Sequence, residues 1–201
     1  MFALIENQQI TKFYSGNRGV ILGDIQYPKS IFTLWSEAER NAIGIFEVTV
    51  DTTNKKDEQW YINTNVSYGV ESNKAVGSYG SATAKAHADT LFTAQDEIDG
   101  KGTEGEVAVR GLKYNLIQTL KSQVANELAR TDWYITRNTE KSTAIPSSIS
   151  THRDAVRTKQ ASMETQITNA ADTPALETLY TYTITDGVQS RPLGELPTLE
   201  S

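Results

Sequence analysis

Gly100-Lys101-Gly102-Thr103-Glu104-Gly105 fits G-x-G-x-x-G letter for letter and precedes a predicted helix. That glycine pattern can bring backbone amides against a pyrophosphate, provided a hydrophobic strand feeds the first glycine. Here Gln95-Asp96-Glu97-Ile98-Asp99 feeds it instead, and its three carboxylates would repel a phosphate. The expectation is therefore an acidic linker, not a nucleotide loop. The kinase variant fails as well: His152-Arg153-Asp154 continues as Ala155-Val156 on a predicted helix, without the catalytic asparagine.

Asp96, Glu97, Asp99 and Glu104 offer hard oxygen ligands on a glycine-containing loop, as calcium requires. No register supplies alternate-position oxygens, a glycine at the sixth place and a glutamate at the twelfth, so no metal site is expected. His87 and His152 each have an acid nearby, Asp89 and Asp154, yet no Gly-x-Ser-x-Gly elbow provides a nucleophile. Catalysis needs nucleophile, base and orienter together. On that ground no catalytic residue and no cofactor are expected, and His152 reads as a solvent-facing or interface residue.

The chain that would position such groups has 201 residues, 38% of them hydrophobic, with 19 Lys+Arg against 25 Asp+Glu for a net charge of −6. That is polar for a compact globule, and a net negative chain is a poor partner for nucleic acid. The absence of cysteine excludes disulfides, thiolate-bound metal and thiol catalysis. Met1 to Asn7 lack the basic region and apolar run of a secretory signal, and no run approaches a membrane span, so a soluble product of the cytoplasm is expected.

The elements divide into a strand-rich front and a helical back. Met1 to Ile5 and Gln9 to Tyr14 read as a hairpin, and Ser36 to Gly44 as a short helix with a serine cap and a glycine stop. Ile45 to Val50 alternates as a half-buried strand; with Glu58 to Tyr68 and Val76 to Gly80 it suggests an antiparallel meander. Beyond about Ala84 the composition shifts to the acidic, glycine-punctuated stretch ending at Gly105.

From Glu106 to Arg130 the residues Val109, Leu112, Leu116, Leu120, Val124 and Leu128 form one helical stripe. A second helix is predicted from Ser147 or Ser148 to Ala171, led in by Ile145-Pro146. A short third one is capped by Asp172 or Thr173, with Pro174 in its first turn. Thr181 to Val188 runs into an Asp-Gly turn, followed by an extended Pro-rich tail. The expected organisation is α+β: a β-rich domain with one short helix over 1–84, an acidic linker over 85–105, a helical hairpin plus short third helix over 106–182, and a turn and extended tail over 183–201. Trp35, Trp60 and Trp133 are expected mainly in cores. Tyr68, Tyr79, Tyr180 and Tyr182, in Thr/Ser/Gly-rich stretches, are interface candidates.

Leu128-Ala129-Arg130-Thr131-Asp132-Trp133-Tyr134-Ile135-Thr136-Arg137-Asn138-Thr139-Glu140, then Ile145-Pro146, then His152-Arg153-Asp154-Ala155-Val156-Arg157 resembles the C-terminal region of bacteriophage tail-associated proteins, including tail-fibre assembly proteins. Those sequences pair a helix ending in a Thr-Asp-Trp-Tyr-like element with an Arg…Glu step, an Ile-Pro lead-in and an aromatic-Arg-x-x-x-Arg helix start. His152 stands in the aromatic place. Met1 to Asn7 look like their short N-terminal hairpin, while Ile45 to Tyr79 match no such pattern.

The resemblance implies a structural or adaptor component of a phage tail, at the baseplate or at fibre attachment, made in the host cytoplasm and carried in the virion. Its implied partners are other tail proteins and further copies of itself, without nucleic acid, membrane or cofactor. The alternative it implies is an assembly chaperone for tail fibres that does not stay in the particle. The candidate interface or hairpin residues are Trp133, Tyr134, Arg137, Glu140, Arg153, Arg157, Tyr180 and Tyr182. In this reading Asp132 ends one helix, Trp133 plugs the hairpin, and Arg137 and Glu140 bracket its loop as a rim pair.

Overall fold

The computed structural model describes residues 1–199, which form two compact units, Met1–Thr83 and a second from Ala84 onward. Both strands and helices are present, with the strands concentrated at the front, so the class is α+β.

The first unit opens with a hairpin of β1 (Phe2–Glu6) and β2 (Gln9–Tyr14), joined at Asn7 and Gln8, whose φ angles of 52° and 61° suit a tight twisted turn. β3 (Val20–Leu22) and β4 (Ile25–Tyr27) form a second hairpin, and a single 3-10 turn, Lys29–Phe32, follows. α1 (Glu37–Ala42) starts at a reciprocal cap. The Ser36 hydroxyl accepts from the Glu39 amide, and the Glu39 carboxylate accepts from the Ser36 amide, holding that carboxyl below its ordinary pKa. β5 (Ile45–Asp51), β6 (Tyr61–Ile62), β7 (Val66–Glu71), β8 (Lys74–Tyr79) and β9 (Thr83–Ala84) complete this unit's strands.

The main sheet has the order β2-β1-β5-β8-β7. Its centre corrects the antiparallel meander expected from sequence: β5 does not pair with the strand that follows it but runs parallel to β8, with Val48 opposite Ala75 and Val50 opposite Gly77. A parallel neighbour needs a crossover of about a dozen residues or more, and the chain between β5 and β8 supplies it. One face packs Phe2, Leu4 and Ile45 on Val20, Ile31 and Phe32, with the Phe2 and Phe32 rings 4.7 Å apart. On the other face Ala3 and Ala75 are fully buried. The edge strands β2 and β7 curl towards each other there: the Phe13 and Tyr68 rings meet edge-on at 5.0 Å, and Gln8 Nε2 donates to Asn73 Oδ1 at 2.8 Å.

The second unit begins with β10 (Thr90–Leu91), α2 (Ala94–Ile98) and β11 (Val107–Val109), β10 and β11 pairing antiparallel. The flexible acidic linker expected over 85–105 is therefore a folded module. Its carboxylates have local partners. Thr93 and Asp96 form a capping box, and Lys101 Nζ pairs with Asp96 and Asp99 at 3.1 and 3.0 Å. The Thr93 amide and hydroxyl, with Lys101, pull the Asp96 carboxyl down to about 2. Gly102 lies against the Phe92 ring, in space that a Cβ would fill.

Helix α3 (Leu112–Ala129) starts six residues later than the stripe suggests, because Val109 belongs to β11 and Gly111 is the N-cap. Then come α4 (Asp132–Lys141), α5 (Ser147–Asn169), α6 (Thr173–Tyr180), and a hairpin of β12 (Thr183–Thr185) and β13 (Val188–Ser190). α3 packs on α5, burying Leu120, Val124, Val156, Met163 and Ile167. Lys113 Nζ donates to the Thr168 carbonyl at 2.8 Å, tying the start of α3 to the end of α5. Asp172 caps α6 through the Ala175 amide, and Leu176 is fully buried. The tail is pinned by Leu193, which is buried and whose amide donates to the Leu179 carbonyl at 3.1 Å.

Candidate protein–protein interface

The residues singled out in sequence fall into three places. Trp133, Tyr134, Arg137 and Glu140 lie on α4, Arg153 and Arg157 on α5, and Tyr180 and Tyr182 flank the end of α6.

α4 corrects the expectation that Trp133 plugs the hairpin, with Arg137 and Glu140 bracketing its loop. Thr131 to Glu140 is itself helical apart from its first residue, and none of the residues of α4 is buried. Trp133 is 51% exposed, and Ile135, two residues on and so on the other side of the helix, is exposed as well. The Arg137 guanidinium lies 5.0 Å from the Trp133 ring centroid and 5.8 Å from that of Tyr134, the spacing at which a cation is attracted to an aromatic face. Its Nε is closed off from solvent without a hydrogen-bond partner. Among the described residues no ion pair joins Arg137 to Glu140, so the rim pair is not formed: Arg137 turns back four residues to Trp133 rather than forward three.

Arg153 supports this surface from beneath. It is 8% exposed, and its Nη1 donates to the Leu128 carbonyl at 2.8 Å, the Thr131 hydroxyl at 2.7 Å and Asp132 Oδ1 at 2.8 Å. The last carbonyls of a helix have no partner within it, and a cation there is favourable. One side chain therefore closes the end of α3, satisfies the buried Thr131 and holds the first residue of α4. His152 is buried too, which corrects the solvent-facing half of the solvent-facing or interface expectation, with Nε2 3.0 Å from Glu127 Oε1. Burial alone would raise the Glu127 carboxyl, but Arg130 and His152 together hold it below its ordinary pKa. Arg157 stays at the surface, 3.5 Å from Asp154.

At the third place Arg191 lies 5.4 Å from the Tyr180 ring and 5.1 Å from that of Tyr182. Its Nε is 2.8 Å from Glu195 Oε1, and the Tyr182 hydroxyl donates to the same carboxylate at 2.6 Å. These tyrosines thus fasten the tail, and the hydrogen bond raises the Tyr182 phenol.

The chemical motifs are absorbed by the fold. Asp89 accepts from the Gly111 amide at 2.8 Å and pairs with Arg110 at 2.6 Å, which lowers its carboxyl and spends it on the start of α3 rather than on His87. In the glycine loop Glu97 accepts from the Glu104 amide at 3.0 Å, so an internal carboxylate occupies a donor that a phosphate would need. Among the described residues no group of three or more His, Cys, Asp or Glu is placed to hold a metal ion, and no helix is long and apolar enough to cross a membrane. Two open cavities, of about 610 Å³ beside Lys12, Tyr14 and Arg18 and about 620 Å³ beside Asn7, Gln8 and Asn73, bring no nucleophile, base and orienting partner together.

No family model matches the chain, and no curated protein or solved structure matches it.

Proposed function

We propose that this protein is a structural or adaptor component of a bacteriophage tail, at the baseplate or at fibre attachment, which acts through protein–protein interfaces. The observation that carries the reading is α4: the segment resembling tail-associated proteins holds a helix with no buried residue, presenting Trp133, Ile135 and an Arg137 without an acidic partner among the described residues. Aromatic and arginine side chains are the types that dominate protein interfaces; Trp133 is exposed and Arg137 is half-buried against its ring. Arg153, buried beneath, keeps that helix in register with α3 and α5.

The partners in this role are other tail proteins and further copies of the chain, the location is the virion after synthesis in the host cytoplasm, and no reaction is part of it.

The second reading, an assembly chaperone for tail fibres that leaves before the particle is finished, draws on the same uncovered α4, which is equally suited to shielding a partner's apolar surface. Mass spectrometry of purified particles separates the two. A stoichiometric chain of 22.2 kDa in particles supports the structural role; presence in the infected-cell lysate with absence from particles overturns it in favour of the chaperone.

A further inference from the structure

The loop joining β2 to β3, Ser15-Gly16-Asn17-Arg18-Gly19, borders an open hollow of about 610 Å³ that Lys12 and Tyr14 also line. Small-molecule sites commonly enclose about 300–1,000 Å³, so the space suits a compact organic molecule. Two cations, Lys12 and Arg18, stand at this hollow, and no carboxylate is among the residues that line it. Among the described residues neither cation enters an ion pair; Lys12 Nζ has the Tyr14 ring, 5.4 Å from its centroid. In a chain of net charge −6, two neighbouring cations without a counter-charge are a local reversal of sign.

The backbone agrees with the side chains. The amides of Gly16, Arg18 and Gly19 donate to no acceptor among the described residues. Gly16 has a φ of 79°, and turn amides left free around such a left-handed residue form a concavity suited to an anion. The loop is held in this shape from beneath. A Cβ on Gly16 would lie 3.0 Å from the Phe2 ring, one on Gly19 would lie 2.5 Å from the Tyr27 carbonyl oxygen, and the Ser15 hydroxyl donates to Asn17 Oδ1 at 2.6 Å. Little ordering is left for a ligand to impose. Burial and the Glu6 carboxylate raise the Tyr14 phenol, which therefore stays a hydroxyl donor. The contrast is with the Gly100 loop, where Glu97 already occupies the Glu104 amide.

We propose that the hollow between β2 and β3 binds a phosphoryl group, held by the amides of Gly16, Arg18 and Gly19 and by the Arg18 guanidinium, with Lys12 as a second positive charge. The planar fork of an arginine matches two phosphate oxygens, whereas a lysine acts as a point charge. Three amides, a guanidinium and an ammonium offer more donors than the two oxygens of a carboxylate can use, so a phosphate is the better match. Free inorganic phosphate and a small phosphomonoester share this chemistry; the ester's organic part would lie on the side bordered by Phe13, Val20 and Ile21. The inference goes beyond the tail role and does not rest on it.

Amide NMR of the isotope-labelled full-length chain tests it, with inorganic phosphate and phenyl phosphate as probes against chloride at constant ionic strength. Inorganic phosphate should shift the Gly16, Arg18 and Gly19 amides saturably, and Arg18→Gln, unchanged in circular dichroism, should weaken binding at least about tenfold. Lys12→Gln should weaken it less and leave the same amides responding. Tighter binding of phenyl phosphate supports the site with a phosphomonoester as its ligand, and equal affinity supports it with free phosphate. The absence of a saturable shift with either probe, shifts reproduced by chloride, or undiminished binding in the Lys12→Gln/Arg18→Gln double variant would each overturn the proposal. Such a failure with the chain still stoichiometric in particles would remove the anion site and leave the tail role standing.

Discussion

Arg153→Met keeps most of the side chain's volume and removes its charge and donors, so it isolates what the buried guanidinium does for the junction of α3, α4 and α5. Of its three acceptors, the Leu128 carbonyl keeps the Thr131 amide and hydroxyl as donors, each at 3.0 Å, so the nearly inaccessible Thr131 hydroxyl is the one that loses its donor inside the protein. Hydrogen bonds to a charged group are worth about 1.5–3 kcal/mol each when their loss strands a buried partner. The third acceptor, Asp132, is 61% exposed, so water replaces the lost partner and the pair adds less than about 1 kcal/mol. Since Nη1 has two hydrogens for three acceptors, the bonds are shared, and the expected total is about 2–4 kcal/mol. For a unit of 118 residues that lowers the melting temperature by roughly 8–16 °C. Thermal and urea unfolding followed by circular dichroism read this directly. Asp132→Asn is the control, expected to cost less than about 1 kcal/mol. If Arg153→Met unfolds within about 0.5 kcal/mol of the parent, or if Asp132→Asn costs as much, the buried guanidinium is not what holds α4, and the reasoning fails.

Leu120→Asp places an unpaired carboxylate between α3 and α5 and should cost more than about 4 kcal/mol; soluble, cooperatively melting protein at full yield would count against the helix pairing. Gly111→Ala drives a Cβ into the backbone carbonyl of Ala88 at the cap of α3, an overpacking worth about 1–3 kcal/mol by urea denaturation, and an unchanged midpoint would be contrary evidence. Asp96 has its carboxyl lowered to about 2 from an ordinary 3.8, so its contribution is fully present above the ordinary value and lost as pH falls through about 2. Carbon-detected NMR should find that carboxyl titrating near 2 with the amides of α2 losing protection in the same range, whereas titration near 3.8 would mean that the Thr93 cap is open in solution.

Local chemistry made much of this architecture readable in sequence. Ser36 with Glu39, Asp172 with Pro174, and Asp186-Gly187 each act within a few residues, so their turns and caps lie where the residue types demand. The stripe from Leu112 to Val124 likewise requires a helix with one buried face. The parallel pairing of β5 with β8 depends on residues more than twenty positions apart, which no periodicity encodes. The folded module over 85–105 had a signal that its acidity obscured: Thr93 precedes Asp96 by three residues, the spacing of a capping box. α4 was hidden for the opposite reason, since a helix that buries nothing needs no apolar stripe. Arg153 and His152 were legible in principle. Ile149, Arg153, Val156, Gln160, Met163 and Ile167 step by four and three, so the arginine occupies a place on the buried face and must bring partners with it.

Cross-linking mass spectrometry on intact particles tests the central claim most directly, because Lys141 ends the uncovered helix and marks its surface. With an amine-reactive reagent, Lys141 should link to a different virion protein, and Trp133→Ala, which leaves the melting temperature unchanged, should weaken that link. Particles in which the chain is present but Lys141 links only within its own chain, or from which the chain is absent, would contradict the account.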